Sequence, residues 1–139
     1  MSHIVSTSYG SGMSFTSHID SHTLKMDTSA SDGGHDTAPS PKKLMLASLT
    51  GCTGVDIVSI LEKMKVPFSD LTITAIAELS EEHPKIYHHV KLEYRIKMNE
   101  ADKPKMERAI QLSEEKYCGV MAMFREFATI ETTLEILAN

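Results

Sequence analysis

Cys52 and Cys118 are the only cysteines in the sequence, and each lies where its thiol could react. Cys52 lies in the stretch "ASLTGCTGVDIVSIL" (47–61), between Gly51 and Gly54. Each of these glycines costs about 0.5–1 kcal/mol relative to alanine inside a helix. Their presence indicates a packing requirement, or a need to let another segment or a substrate approach the thiol.

Cys118 lies in "SEEKYCGVMAMF", where one predicted helix stops and another begins. The positive end of a helix dipole favours the thiolate, so this position predicts a lowered pKa for Cys118. The alternative is that each cysteine is a small, inert core residue, which is the common case for a lone cysteine on a helix. Spacing alone favours this inert alternative.

Asp56 follows Cys52 by one helical turn and shares its face of the helix, where it would orient a neighbouring group or simply be solvated. The histidines form no HxxxH pair on a convincing helix, and there is no CxxC, so we expect no metal site. The sequence also has no Ser-His-Asp elbow, phosphate loop or dinucleotide fingerprint, and we expect no cofactor.

The overall composition limits the classes of protein and partner. A chain of 139 residues predicts one domain over 1–139, and a formal charge of −5 argues against a nucleic-acid partner. No apolar run approaches the roughly 18 residues of a membrane span, so we expect no membrane association. The N-terminus lacks a secretion signal, and two cysteines without a disulfide framework suit a reducing compartment. We therefore expect a cytoplasmic location.

Periodicity predicts an α+β domain with mostly antiparallel sheet, in the order ββ(β)α–ββ–αα–β. Weak strands within residues 1–27 precede a polar loop (28–40). The later predicted elements are a helix over 41–65, strands over 71–79 and 86–98, a helix capped by Asp102, a short helix after Gly119 and a strand over 129–137.

Two of these elements carry specific burial predictions. The helix over 41–65, with Ser40 as N-cap, is apolar on nearly all faces, which predicts central burial. In the strand pair, one face is predicted to hold the alternate residues from Leu71 to Leu79 and from Ile86 to Met98, the second set including His88.

Three stretches together resemble the OsmC/Ohr family of organic-hydroperoxide reductases, and within it the YhfA-like subgroup. They are "SPKKLMLASLTGCTGVDIVSILEKMK" (40–65), "DLTITAIAELSEEHPKIYHHVKLEYRI" (70–96) and "RAIQLSEEKYCGVMAMF" (108–124). The subgroup's signatures C-T-x-x-D-[VI]-V-S-I-L and S-x-E-K-Y-C-x-V occur in the right order. The resemblance covers about residues 13 to 137.

The resemblance implies an OsmC-like fold in an intertwined homodimer, with antiparallel sheets around long central helices. It implies that Cys52 is the peroxidatic cysteine, which reduces an organic hydroperoxide and becomes a sulfenic acid. Cys118 would then resolve this acid as a disulfide, which an external dithiol reduces. Such a protein would serve in oxidative-stress defence.

The sequence departs from the family's well-understood members at the groups that activate the thiolate. Their Glu ten positions before the peroxidatic cysteine is Lys42 here, and no arginine precedes Arg95, although they use one from the N-terminal strands. We hypothesise that Lys42 or Lys43 supplies positive charge instead, the alternative being that both are solvated. A second functional class therefore stays open, a non-peroxidatic member that binds a small apolar or thiol ligand at the dimer interface.

Overall fold

The structure, a computed structural model, describes residues 1–138 as an α+β fold, as the sequence predicts. Its helices are α1 (Pro41–Lys63), α2 (Lys103–Leu112) and α3 (Gly119–Arg125). Its strands are β1 (Val5–Tyr9), β2 (Phe15–Ile19), β3 (His22–Met26), β4 (Phe68–Leu79), β5 (Tyr87–Met98) and β6 (Thr129–Leu137). The chain divides into two compact units, Met1–Leu46 and a second that begins at Ala47. The expectation of a single domain stays a prediction.

The first unit is an antiparallel sheet in the order β1-β2-β3, so the predicted weak strands are confirmed. Asp20 and Ser21 join β2 to β3, and Asp20 has a φ of 55°, a left-handed conformation that aspartate tolerates better than most residues. Ser17 and Asp27 are the residues of Met1–Leu46 that are buried, and neither is apolar. This sheet therefore has no hydrophobic core of its own.

Asp27 holds the polar loop (28–40) in a defined conformation. Its carboxylate accepts hydrogen bonds from the Thr28 amide (2.8 Å), the Thr37 amide (3.1 Å) and the Thr37 hydroxyl (2.7 Å). These bonds, the Thr37 hydroxyl foremost, lower the pKa of Asp27 from 3.8 to about 2. The loop also needs a glycine at Gly34, because a Cβ there would collide with the Thr28 carbonyl oxygen.

The second unit is built on a sheet in the order β4-β5-β6, in which β5 pairs antiparallel with β4 and parallel with β6. The predicted inward face of β5 is confirmed from Val90 to the end of the strand, where five alternate residues are buried: Val90, Leu92, Tyr94, Ile96 and Met98. On β4 the matching residues Leu71, Ile73, Ala75 and Ala77 are half-buried.

The face prediction is wrong at the hairpin end of the same two strands. Ile86, His88 and Leu79 are exposed, whereas Tyr87 is buried. The cause is a register shift after Glu78, where Leu79 pairs with Tyr87 and His88 is left without a partner residue. Beyond an extra residue in one strand, the side chains that faced the core point to the other face of the sheet. The hydrophobic pattern of the sequence does not reveal where such a bulge lies.

Helix α1 begins at Pro41 and ends at Lys63, within two residues of the predicted bounds. Its buried residues recur every four positions and form one stripe: Leu49, Thr53, Ile57 and Leu61. The prediction of burial on nearly all faces is therefore wrong within a single chain, since Met45 and Val55 are 45% and 71% exposed.

Helix α1 is also long and apolar enough to cross a membrane by length and composition, and 22% of its apolar stretch is buried. The expectation that no segment reaches this length is thus wrong for α1. Polar residues interrupt the apolar ones along α1, but Asp56 is the one charged residue between Leu44 and Leu61, so the average over this stretch stays apolar. Core helices of water-soluble proteins pass the same test.

A π-helical turn (Ser113–Tyr117) follows α2 and brings the chain to Cys118, the N-cap of α3. The predicted junction of two helices at Cys118 is confirmed. The prediction that Asp102 caps α2 is wrong: Asp102 occupies the N-cap position, but its side chain makes no capping hydrogen bond. Asn99 instead caps the preceding 3₁₀ turn by accepting from the Ala101 amide.

Glu114 anchors the π turn to strands β5 and β6. Its carboxylate accepts hydrogen bonds from the Tyr94 hydroxyl (2.7 Å) and the Thr132 hydroxyl (2.9 Å), and lies 3.8 Å from the Arg125 guanidinium. Burial, with the Glu114 charge adding to it, raises the pKa of Tyr94, so its hydroxyl stays a donor. The polar contacts of Glu114 thereby fix the turn that precedes Cys118.

The Asp27 contacts predict how the loop responds to acid. Because the pKa of Asp27 is lowered from 3.8 to about 2, its stabilising contribution is complete above pH 3.8 and is lost as the pH falls through about 2. We expect the Thr28 and Thr37 amides to stay protected from hydrogen exchange until that range. In Asp27→Asn, where one oxygen becomes an NH₂ group, the Thr37 amide should lose protection at neutral pH as well. Equal protection in Asp27→Asn and in the exposed control Asp20→Asn would contradict this.

The Tyr94–Glu114 contact predicts a loss of stability in Tyr94→Phe. Tyr94 is fully buried and its hydroxyl bonds a charged carboxylate, so the free energy of unfolding should fall by about 1.5–3 kcal/mol. Denaturant unfolding measures this directly. The control Tyr117→Phe removes a hydroxyl from a tyrosine that is 54% exposed, and should change stability by less than about 0.5 kcal/mol. Similar losses in the two variants would refute the anchoring role of Glu114.

Candidate functional site

The fold brings two thiols and a carboxylate together in the second unit. The Sγ atoms of Cys52 and Cys118 and a carboxylate oxygen of Asp56 all lie within 4.8 Å of one another. Helix α1 supplies Cys52 and Asp56 from adjacent turns, and the junction between the π turn and α3 supplies Cys118. The predicted pair of cysteines thus meets in space, and Asp56 joins it.

Cys118 is the enclosed thiol of this cluster. It is 4% exposed, its amide donates to the Ser113 carbonyl (2.8 Å), and its Sγ accepts from the Met121 amide (3.2 Å). Burial raises the pKa of Cys118 to about 12, the Cys52 thiol adds to the rise, and the Met121 amide opposes it. The expected lowering by the helix dipole is therefore wrong, because desolvation outweighs the few aligned peptides of the short helix α3.

Cys52 is the accessible thiol, since it is half-buried and both cysteines are free of a disulfide. The neighbouring Gly51 is exposed, and a Cβ built on it would meet no atom within 4 Å. At Gly54 an added Cβ would lie 3.4 Å from the Ile73 Cδ1 atom, which is ordinary van der Waals contact. Within one chain the two glycines therefore leave space beside Cys52 rather than relieve a collision.

Asp56 is held in place by the π turn. The Ser113 hydroxyl is fully buried and donates to Asp56 Oδ2 at 3.0 Å. Asp56 also borders a groove of about 520 Å³ whose remaining lining is Ser59, Ile60, Lys63, Met64, Leu112 and Tyr117. Asp56 thus lies close to both sulfur atoms and lines an open groove.

A second groove, of about 400 Å³, reaches Cys118 itself. It also borders Glu114 and Arg125, the pair described above. Sequence reasoning missed the roles of Ser113 and Glu114, although both lie in the quoted "SEEKYC" stretch. The available signal was the position of these polar residues directly before the second cysteine.

The two lysines proposed as sources of positive charge belong to the first unit, whereas Cys52 belongs to the second. Lys42 and Lys43 are exposed in the first turn of α1, within the unit Met1–Leu46. Among the described residues, neither takes part in an ion pair. Their proposed support of the thiolate stays a prediction.

Comparison with known proteins agrees with this architecture. The sequence model of the family described as "OsmC-like protein" matches residues 34–133. Protein YhfA of Escherichia coli strain K12 is 32% identical over 117 residues, which are 84% of each chain.

Solved structures show the same fold over nearly the whole chain. A hypothetical protein from Aquifex aeolicus superposes with a TM-score of 0.86 at 27% identity, covering 100% of this chain and 98% of that one. An organic hydroperoxide resistance protein from Legionella pneumophila superposes with a TM-score of 0.70 at 15% identity, covering 97% of both chains. At that lower identity the likeness concerns the fold alone.

The matched family model spans the second half of the polar loop, α1, both cysteines and most of β6, and the match to YhfA extends over a similar length. The resemblance inferred from the cysteine motifs is thereby confirmed: the chain belongs to the OsmC-like family.

Proposed function

We propose that this protein is a thiol-dependent hydroperoxide reductase in which Cys52 is the peroxidatic and Cys118 the resolving cysteine. The observation that supports it most is the pairing of an accessible thiol with an enclosed one, their Sγ atoms within 4.8 Å. Relatives of the same fold include proteins named for organic hydroperoxide resistance.

In the first step the Cys52 thiolate attacks one oxygen of the hydroperoxide, and the O–O bond breaks. The alkoxide leaves and takes up a proton to become an alcohol, while Cys52 becomes a sulfenic acid. In the second step Cys118 attacks the Cys52 sulfur and releases the hydroxyl group as water, with the Cys118 proton. The Sγ atoms must close from within 4.8 Å to the bond length of about 2.05 Å.

The two environments suit these different roles. A resolving thiol must survive the first step, and the raised pKa of Cys118 keeps it protonated and weakly nucleophilic while Cys52 is reduced. Cys118 directly follows the π turn and its amide donates to the Ser113 carbonyl, so a movement of that turn would carry Cys118 toward the sulfenic acid. An external dithiol would then reduce the disulfide and restore both thiols.

The activation of Cys52 differs from the family pattern described above. We propose that Lys42 or Lys43 supplies the positive charge that the missing arginine would provide. We also propose a cytoplasmic location, where the free thiols of Cys52 and Cys118 would persist between reactions.

A second candidate function is non-peroxidatic ligand binding. The groove beside Asp56, with Ile60, Met64 and Leu112 in its wall, has the size and apolar character of a small-molecule site. In that case the thiols would contact a bound apolar or thiol ligand, and a hydroperoxide would leave them unchanged.

We propose that the working form is a homodimer. Helix α1 leaves most of its apolar stretch uncovered, and the sheet of the first unit buries no apolar residue. Three short strands without a hydrophobic core are not stable alone in water. A second copy that covers α1 and the N-terminal sheet would bury both surfaces, and would also fill the space left at Gly51.

The peroxidase proposal predicts one specific product. A stoichiometric amount of an organic hydroperoxide, added to reduced protein in the presence of a metal chelator, should yield a Cys52–Cys118 disulfide. Intact mass spectrometry should show the loss of two hydrogen atoms, and peptide mapping should locate the bond. Cys118→Ala should accumulate a Cys52 sulfenic acid, because the first step does not need Cys118. Cys52→Ser should leave Cys118 unmodified.

Survival of both thiols in the wild-type protein would contradict the peroxidase and favour ligand binding. Equal oxidation in Cys52→Ser and Cys118→Ala would refute the assignment of roles. The double variant Lys42→Met/Lys43→Met should form the disulfide more slowly than the wild type. An unchanged rate would exclude activation by these lysines.

The dimer proposal predicts a molecular mass in solution of twice the 15.4 kDa chain. Val55 is 71% exposed on α1, so Val55→Glu would bury a charge in the proposed interface and should give monomers. Size-exclusion chromatography with light scattering measures the mass. The matched control Ile76→Glu alters a 49% exposed residue of β4 and should remain dimeric. A monomeric wild type, or dissociation only in Ile76→Glu, would contradict an interface on α1.

A further inference from the structure

The cluster at the centre of the second unit is also a set of metal-binding donors. Two cysteine sulfurs and one carboxylate oxygen converge within 4.8 Å, each from a different part of the secondary structure or a different helical turn. Among the described residues, no histidine belongs to the cluster. Ligand spacing in the sequence predicted no metal site, because Cys118 comes from a separate element and no local motif marks the set.

The distances suit a small tetrahedral ion. Zinc binds thiolate sulfur at about 2.3 Å and carboxylate oxygen at about 2.0–2.2 Å, which places tetrahedral donor atoms about 3.5–3.8 Å apart. The three donors here lie within 4.8 Å of one another. Side-chain rotations that shorten each separation by about 1 Å would complete the tetrahedral geometry.

Two hydrogen bonds from neighbouring residues orient the metal-binding atoms of the cluster, as hydrogen bonds to metal ligands commonly do. The Ser113 hydroxyl donates to Asp56 Oδ2 at 3.0 Å, which fixes the carboxylate toward the sulfur atoms. The Met121 amide donates to Cys118 Sγ at 3.2 Å, which stabilises negative charge on that sulfur. Such partners typically change metal affinity about 10- to 100-fold.

We propose that reduced Cys52 and Cys118, together with Asp56, bind one zinc ion or a similar soft divalent cation. Binding replaces the two thiol protons, and three negative ligands surround the ion. Cys52 is half-buried, so the fourth position faces the accessible side of the cluster and is open to water or a small ligand. Three protein ligands and an open position are the arrangement of reactive zinc sites rather than of closed structural ones.

Metal binding and disulfide formation use the same sulfur atoms and exclude each other. If a hydroperoxide oxidises the loaded site, two protons are consumed, the disulfide, an alcohol and water form, and the divalent ion is released. The bound ion would therefore protect the thiols, and oxidation would free it. This inference goes beyond the proposed reductase, because binding requires reduced thiols but no reaction with a hydroperoxide.

The test uses tag-free, fully reduced, full-length protein with Zn²⁺ in calorimetry and with Co²⁺ as a spectroscopic probe. We expect one ion per chain and a sulfur-to-cobalt charge-transfer band. Cys52→Ser and Cys118→Ala should both lose the band and the tight binding. Asp56→Asn keeps an acceptor for Ser113 but lacks the charge, and should weaken zinc binding by about tenfold or more. The control Asp20→Asn, which makes the same change on an exposed turn, should bind like the wild type.

Zinc binding that persists in Cys52→Ser would assign the ion to other groups, such as the histidines, and would overturn the proposal. Equal affinity in Asp56→Asn and Asp20→Asn would remove Asp56 from the site and would also overturn it. The hydroperoxide experiment above is carried out with a chelator. A failure of metal binding therefore leaves that experiment unchanged, and a failure of the reductase leaves this one unchanged.

Discussion

The hydrogen bond from the Ser113 hydroxyl to Asp56 joins two parts of the chain 57 residues apart, and the candidate site depends on it. It fixes the π turn against α1, next to the turn of the helix that carries Cys52. Glu114, the next residue, fixes the other side of the same π turn to β5 and β6 through Tyr94 and Thr132. Cys118 directly follows this turn. Because the turn is anchored on both sides, the position of the Cys118 sulfur is fixed.

The consequence of this placement is an asymmetric pair of thiols. Cys118 is enclosed and its pKa is raised, whereas Cys52 is half-buried beside two glycines. A symmetric, fully exposed pair would offer an oxidant two equal targets. In the proposed reaction this asymmetry sets an order, in which Cys52 would meet a substrate first and Cys118 would follow. The same closeness of sulfur and carboxylate gives the reduced site its proposed affinity for a soft cation.

Much of the fold was predictable from the sequence, because most elements carry clear local signals. The alternation from Val90 to Met98, the Pro41 start of α1 and the bounds of β6 all follow from patterns within a few residues. The bulge near His88 was not predictable, since it depends on pairing with β4. The exposed faces of α1 were also mispredicted. An apolar helix face indicates that it is buried, but the sequence does not say whether residues of the same chain or of another molecule bury it.

The site was predictable in its members but not in its electrostatics. The two cysteine motifs identified the thiols, and helical spacing placed Asp56 beside Cys52. The raised pKa of Cys118 was not foreseen, because the sequence shows the nearby helix terminus but not the burial that outweighs it. The metal-binding arrangement was likewise hidden, since its ligands come from elements that meet only in the folded chain.

We propose that Cys52 is activated for reaction with hydroperoxides. This proposal is tested most directly by the second-order rate constant for oxidation of Cys52 by an organic hydroperoxide, measured by stopped flow beside free cysteine at the same pH. The account predicts that Cys52 reacts faster than free cysteine and that its rate is unchanged in Cys118→Ala, since resolution comes afterwards. A rate no faster than that of free cysteine would contradict it.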